Sequence, residues 1–114
     1  LTPTEWGEQF VAKHPEYKQV LDDSVNWDDS QNLMEHLFLG DVVIQISAAY
    51  RLDPTDACIQ MTLDDLDIDY ARGEEWLQNA IAVSFVESLG RRSPIVEILG
   101  PELRQVAREM LHVK

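Results

Sequence analysis

The chain has 114 residues, 45% of them hydrophobic and 26% charged, enough for one packed core and too few for two. It carries 21 acidic against nine basic side chains, a net charge of −12; such a field repels nucleic acid and anionic membrane and draws in basic partners. No run approaches the roughly 18 apolar residues of a membrane span, no signal-peptide pattern opens the chain, and the single cysteine, Cys58, excludes an internal disulfide framework.

Together these features predict a cytoplasmic protein. The first residue is Leu1, consistent with a trimmed native start. The charge is uneven along the chain. Residues 19–75 hold fourteen acids and two bases, Arg51 and Arg72, whereas 76–114 hold four acids and five bases.

Proline and glycine punctuation predicts helices throughout. Pro3, Pro15, Pro54, Pro94 and Pro101 each stand at the head of a stretch with helical periodicity, where a missing N–H costs nothing. Thr2 and Glu5 form a capping-box pattern, Asp53 and Ser93 are good N-caps, and Gly73, Gly90 and Gly100 fall where helices should stop.

In chain order, the first helix covers about 3–13, with Trp6, Phe10 and Val11 on one side. A second covers about 15–25, aligning Tyr17, Val20, Leu21 and Ser24. A third, about 30–51, shows two apolar stripes, Leu33/Leu37/Ile44/Ala48 and Leu39/Val43/Ile46/Tyr50, as if packed on two sides. Within it the β-branched run "VVIQIS" (42–47) leaves a strand open as the alternative.

A fourth helix runs over about 54–72 and a fifth over about 74–89, the latter apolar nearly all round and so expected to be central. A short helical turn follows Pro94, and a last helix covers about 101–112. The prediction is a single all-α domain over 1–114, a bundle of about five to six helices around the segment 74–89.

Chemistry-bearing patterns are sparse. Asp65, Asp67 and Asp69 match positions 1, 3 and 5 of a calcium loop, but Tyr70 and Trp76 stand where glycine and a bidentate glutamate are required. His14, His36 and His112 lack metal-ligand spacing. Cys58 lies among acids that raise a thiol pKa, and no nucleophile elbow or phosphate loop occurs.

The expectation is therefore no metal, no cofactor and no enzymatic activity. Arg91, Arg92, Arg104 and Arg108 gather near the C-terminus, where pairing with the acidic middle or with Glu102 and Glu109 is the expected role. The pI near 4.4 argues against nucleic acid. Glu87, inside the most apolar helix, is expected to be hydrogen-bonded by Asn79, Ser84 or an arginine if buried.

Two acidic clusters are the candidate partner-binding residues. In "DDLDIDYARGEE" (64–75), Ile59, Leu63, Leu66 and Tyr70 fall within about 60° of each other as a core stripe. Asp64, Asp65, Asp67 and Asp69 are displaced from that stripe as solvated residues would be, and Met61 and Ile68 fall on the far side among them.

An apolar pair ringed by acids is the pattern of a small interface centre with a charged rim; the alternatives are coverage of that side by another helix, or a strand to which the alternation Leu66/Ile68/Tyr70 belongs. In "LDDSVNWDDSQ" (21–31), Asp22, Asp23, Asp28 and Asp29 surround Trp27. That is either an anchor with its rim or an ordinary loop in which Trp27 covers the core and the acids cap the helix beginning near Ser30.

The strings "HLFLGD" (36–41), "NAIAVSFVESL" (79–89) and "ILGPELR" (98–104) resemble small acidic helical bacterial proteins, among them immunity proteins of polymorphic-toxin and contact-dependent growth inhibition systems. The resemblance covers about the C-terminal two-thirds and implies a cytoplasmic antitoxin-like role: a toxin inhibitor that binds one cognate toxin domain, a basic nuclease for example, by stoichiometric protein–protein interaction. It transfers no binding residues. The alternative is an acidic helical adaptor or regulator of another basic protein.

Overall fold

The computed structural model describes residues 1–25 and 33–112. The regular elements among them are all helical: α1 (Pro3–Lys13), a 3₁₀ turn (Pro15–Tyr17) leading into α2 (Lys18–Asp23), α3 (Glu35–Leu52), α4 (Ala57–Arg72), a continuous α5 over 75–89, a 3₁₀ segment (Pro94–Ile98) and α6 (Pro101–Leu111). The β-type contact among the described residues is an isolated antiparallel bridge between Val25 and Leu33. The protein is all-α. Residues 42–47 are helical, because Val42, Val43 and Ile46 bury against the core, a gain that exceeds the small helix penalty of β-branching.

The punctuation operates at most of the expected places. Thr2 caps α1 through a complete capping box: its hydroxyl accepts from Glu5 N at 3.1 Å, and the Glu5 carboxylate accepts from Thr2 N at 3.0 Å. That backbone donor holds the Glu5 carboxyl below its ordinary range. Pro54 differs. The Asp53 carboxylate accepts from both Thr55 N (3.0 Å) and Thr55 Oγ1 (2.6 Å), which closes a separate turn. Helix α4 then starts at Ala57, with Asp56 as its N-cap accepting from Cys58 N at 2.9 Å.

The core begins as an aromatic cluster. Phe38 of α3 meets Trp6 and Phe10 of α1 edge-on, with ring centroids 5.8 Å apart in both pairs, a favoured geometry. From there Leu39, Val42 and Ile46 continue the buried side of α3 towards Ile81, Phe85 and Val86 of α5. The other predicted stripe of α3 is not sandwiched: Leu37 is exposed and Ile44 is 68% exposed. α3 is thus covered on one side only.

Helix α5 is central as expected, with Ala80, Ile81, Phe85 and Val86 fully buried, and it achieves this with a wider turn. Residues Ile81–Val86 are π-helical, closed by Glu87 N donating to Ala82 O. On an ordinary helix, at about 100° per residue, Val86 would point roughly opposite Leu77. The extra residue per turn brings it round to the core. The polar residues of α5 lie outward. Glu87 and Asn79 are exposed, so the Glu87 carboxylate is not a buried group in need of a partner, and Ser84 Oγ pairs with His36 Nδ1 at 2.6 Å across to α3.

Candidate protein interface

Helix α4 carries the acidic string and touches two neighbours through it. On one flank, Asp69 Oδ2 accepts from the Trp6 indole Nε1 at 3.0 Å, and Asp65 Oδ2 lies 2.5 Å from Nε2 of the buried His14. Residues 65 and 69 are one turn apart and share a face, so they clasp both ends of α1. On the other flank, Asp67 is buried and its Oδ1 accepts from Leu103 N at 2.9 Å.

That last contact is a borrowed helix cap. The N-cap of α6 is Gly100, which has no side chain to satisfy the orphan N–H groups of the first turn. Asp67 supplies the oxygen from another helix and occupies the space a Cβ on residue 100 would need. Glycine is required there for this close approach, not for its backbone angles, since φ is −66°.

These contacts correct the sequence reading. Asp65, Asp67 and Asp69 are not a solvated rim; they fasten α4 to α1 and α6. Burial pushes the Asp69 carboxyl above its ordinary range, opposed by the indole hydrogen bond. Available signals pointed this way. A core tryptophan needs an acceptor for its N–H, His14 follows Phe10 by one turn on the buried side of α1, and the Gly100–Pro101 helix start has no capping side chain.

The outward side of α4 stays open. Met61 is 56% and Ile68 46% exposed, with exposed Ala57, Asp64 and Ala71 on the same stripe. Among the described residues Asp64 engages Gln60, whose Nε2 donates to it at 2.9 Å and also to Ile98 O at 3.1 Å. The core stripe on the opposite side, Ile59, Leu63 and Leu66, is buried as expected, with Tyr70 packed against it.

In the second cluster, exposed Asp23 accepts from Gln19 at 2.9 Å, and Asp22 pairs with Lys18 at 3.1 Å. The helix expected from about Ser30 begins instead at Glu35, since Met34 before it is extended; Trp27, Asp28 and Asp29 lie outside the described residues.

Cys58 is exposed, and the neighbouring Asp56 charge raises its thiol pKa, leaving it a weak nucleophile. Asp69 is the one carboxylate in the concavity it shares with Lys13 and Arg72, whereas Glu16 and Asp56 line a second and Glu8 and Asp22 a third. Among the described residues no three metal-ligating side chains converge, and no helix is long and apolar enough to cross a membrane.

Nor do the arginines pair as expected. Among the described residues the ion pairs involve the N-terminus with Glu74, His14 with Asp65 and Lys18 with Asp22. Glu109 accepts instead from Gln105.

The chain belongs to a family described as a domain of unknown function (DUF7674), whose model matches residues 8–113. No curated protein and no solved structure matches it.

Proposed function

We propose that this family member is an immunity protein: a non-catalytic inhibitor that binds a basic cognate toxin domain in a stoichiometric complex. The observation that carries the reading is the concentration of charge, fourteen acids against two bases within residues 19–75 of a chain with net charge −12. A nuclease toxin presents a basic substrate cleft, and an acidic partner is steered into such a cleft quickly. The resemblance of residues 36–41, 79–89 and 98–104 to toxin-linked immunity proteins supports the same reading.

The open side of α4 supplies a physical means. Met61 and Ile68 are exposed apolar side chains with Asp64 between them, and desolvating two such anchors contributes more to tightness than the number of acids does. Asp22 and Asp23 extend the acidic surface at the end of α2, whereas Asp65, Asp67 and Asp69 contribute to the field while their oxygens are engaged internally.

The test is co-expression with the toxin domain encoded directly upstream. A co-purifying one-to-one complex and restored growth are expected. No complex and no rescue would overturn the proposal. Stable binding to a basic protein without any toxin rescue would favour the adaptor reading.

A further inference from the structure

Four of the six arginines, Arg51, Arg91, Arg92 and Arg104, line two adjoining concavities. Arg91, Arg92 and Arg104 line a concavity of about 360 Å³ together with Ser93, Pro94, Val96 and Glu97. Ser93 and Pro94 are also the wall of a second concavity, about 250 Å³, lined by Arg51, Tyr50, Leu89 and Ile95. None of these four arginines lies within ion-pair distance of a carboxylate among the described residues. Clustered guanidiniums repel one another unless an anion is shared between them.

We propose that this corner binds a small phosphorylated molecule, its phosphate held by Arg91, Arg92 and Arg104. Three observations favour that ligand class. The first is pre-organisation. Gly90 turns the chain at φ 81°, a left-handed conformation that favours glycine, and Ser93 N closes the turn on Gly90 O at 3.1 Å. Arg104 is held by donation from Nη2 to Glu97 O, which leaves other N–H donors of its fork for a ligand.

The second is charge. Three guanidiniums and the Glu97 carboxylate leave a net +2 on the lining of the first concavity, matching the roughly −1.5 to −2 of a phosphomonoester at neutral pH. The third is size. A small anion sits within about one Debye length, roughly 8 Å, of the arginines, whereas a nucleic acid would extend over a body of net charge −12. The adjoining concavity, with Tyr50, Leu89 and Ile95 in its lining, receives the organic part.

Titration calorimetry on the intact protein tests this with inorganic phosphate, phenyl phosphate and, at matched ionic strength, chloride. Saturable one-site binding of both phosphates over the chloride baseline is expected. Arg91→Gln/Arg92→Gln should weaken it about tenfold or more, while Arg108→Gln, outside the concavity, should leave it unchanged. Binding of phenyl phosphate more tightly than inorganic phosphate supports the organic subsite; equal binding overturns that part and leaves free phosphate as the ligand. No binding above chloride, or binding indifferent to the double substitution, overturns the proposal.

Discussion

The flanks of α4 and its outward side are acidic alike in sequence and do opposite work. Asp65, Asp67 and Asp69 spend their oxygens on His14, Leu103 N and Trp6. Asp64, on the outward side, accepts from a neighbouring glutamine and stands exposed between two exposed apolar side chains. An acid count therefore overstates the surface available to a partner and understates how much of it holds the fold together. What separates the two groups is angle around the helix. Asp67 and Asp69 stand about 70–90° from the core stripe, on opposite sides, and each reaches a neighbouring helix; Asp64 and Asp65 both stand about 130° from it, and Asp65 is engaged because its side is the one that faces α1.

Substitutions can sharpen or break that contrast, beginning with the largest expected loss. Asp67→Ala should destabilise by about 2–3 kcal/mol in urea unfolding, since it removes a buried acceptor and the cap of α6 together. Gly100→Ala should cost about 1–2 kcal/mol, because the added methyl collides with the Asp67 carboxylate. In the Asp67→Ala background that cost should largely vanish. A coupling near zero in the double-mutant cycle would contradict the borrowed cap.

The α1 clasp should show a smaller, pH-dependent effect. The folded state binds the Asp69 proton more tightly than the unfolded chain does, because burial raises this carboxyl. The stability it contributes is therefore full below the ordinary carboxylate range and declines as pH rises through the elevated value. Asp69→Asn keeps an acceptor for Trp6 without the charge. The stability of the parent relative to this variant should fall as pH rises from below the ordinary carboxylate range through the elevated value; a difference that grows with pH would refute the assignment.

Least affected of all should be the outward side. Met61→Lys and Ile68→Lys are expected to change unfolding free energy by no more than about 0.5 kcal/mol. Combined with Asp64→Lys, they should nonetheless abolish capture of a basic partner if this side is the interface. Unfolding losses above about 2 kcal/mol would show that the side is covered after all.

Much of the fold was legible because local chemistry and tertiary packing agree. The bounds of α1 follow from Thr2, Pro3 and Glu5, and its buried side from Trp6 and Phe10. Where the reading failed, the deciding contact was remote. Nothing local distinguishes Pro54 in its turn from Pro101 at its helix start until Asp53 and Asp56 divide the capping between them. Ile44 has the periodicity of a core residue, yet it is 68% exposed.

The candidate interface was half legible. Periodicity places Met61 and Ile68 opposite the core, but it cannot tell that α1 and α6 take three of the four neighbouring acids. The arginine corner was visible as a gathering of charges near the C-terminus, but its pairing was misread. Sequence proximity of Glu102 and Glu109 to Arg104 and Arg108 suggested pairs that the geometry does not make.

The cap that α4 lends to α6 also orders events in time. An eleven-residue helix is marginal by itself in water, and the oxygen that completes its first turn comes from 36 residues upstream. We expect α6 to gain lasting structure only after α4 has docked, making the C-terminal helix a late and cooperative step in folding rather than an independent nucleus. Amide exchange in the first turn of α6 would then track global unfolding in the parent and become locally fast in Asp67→Ala.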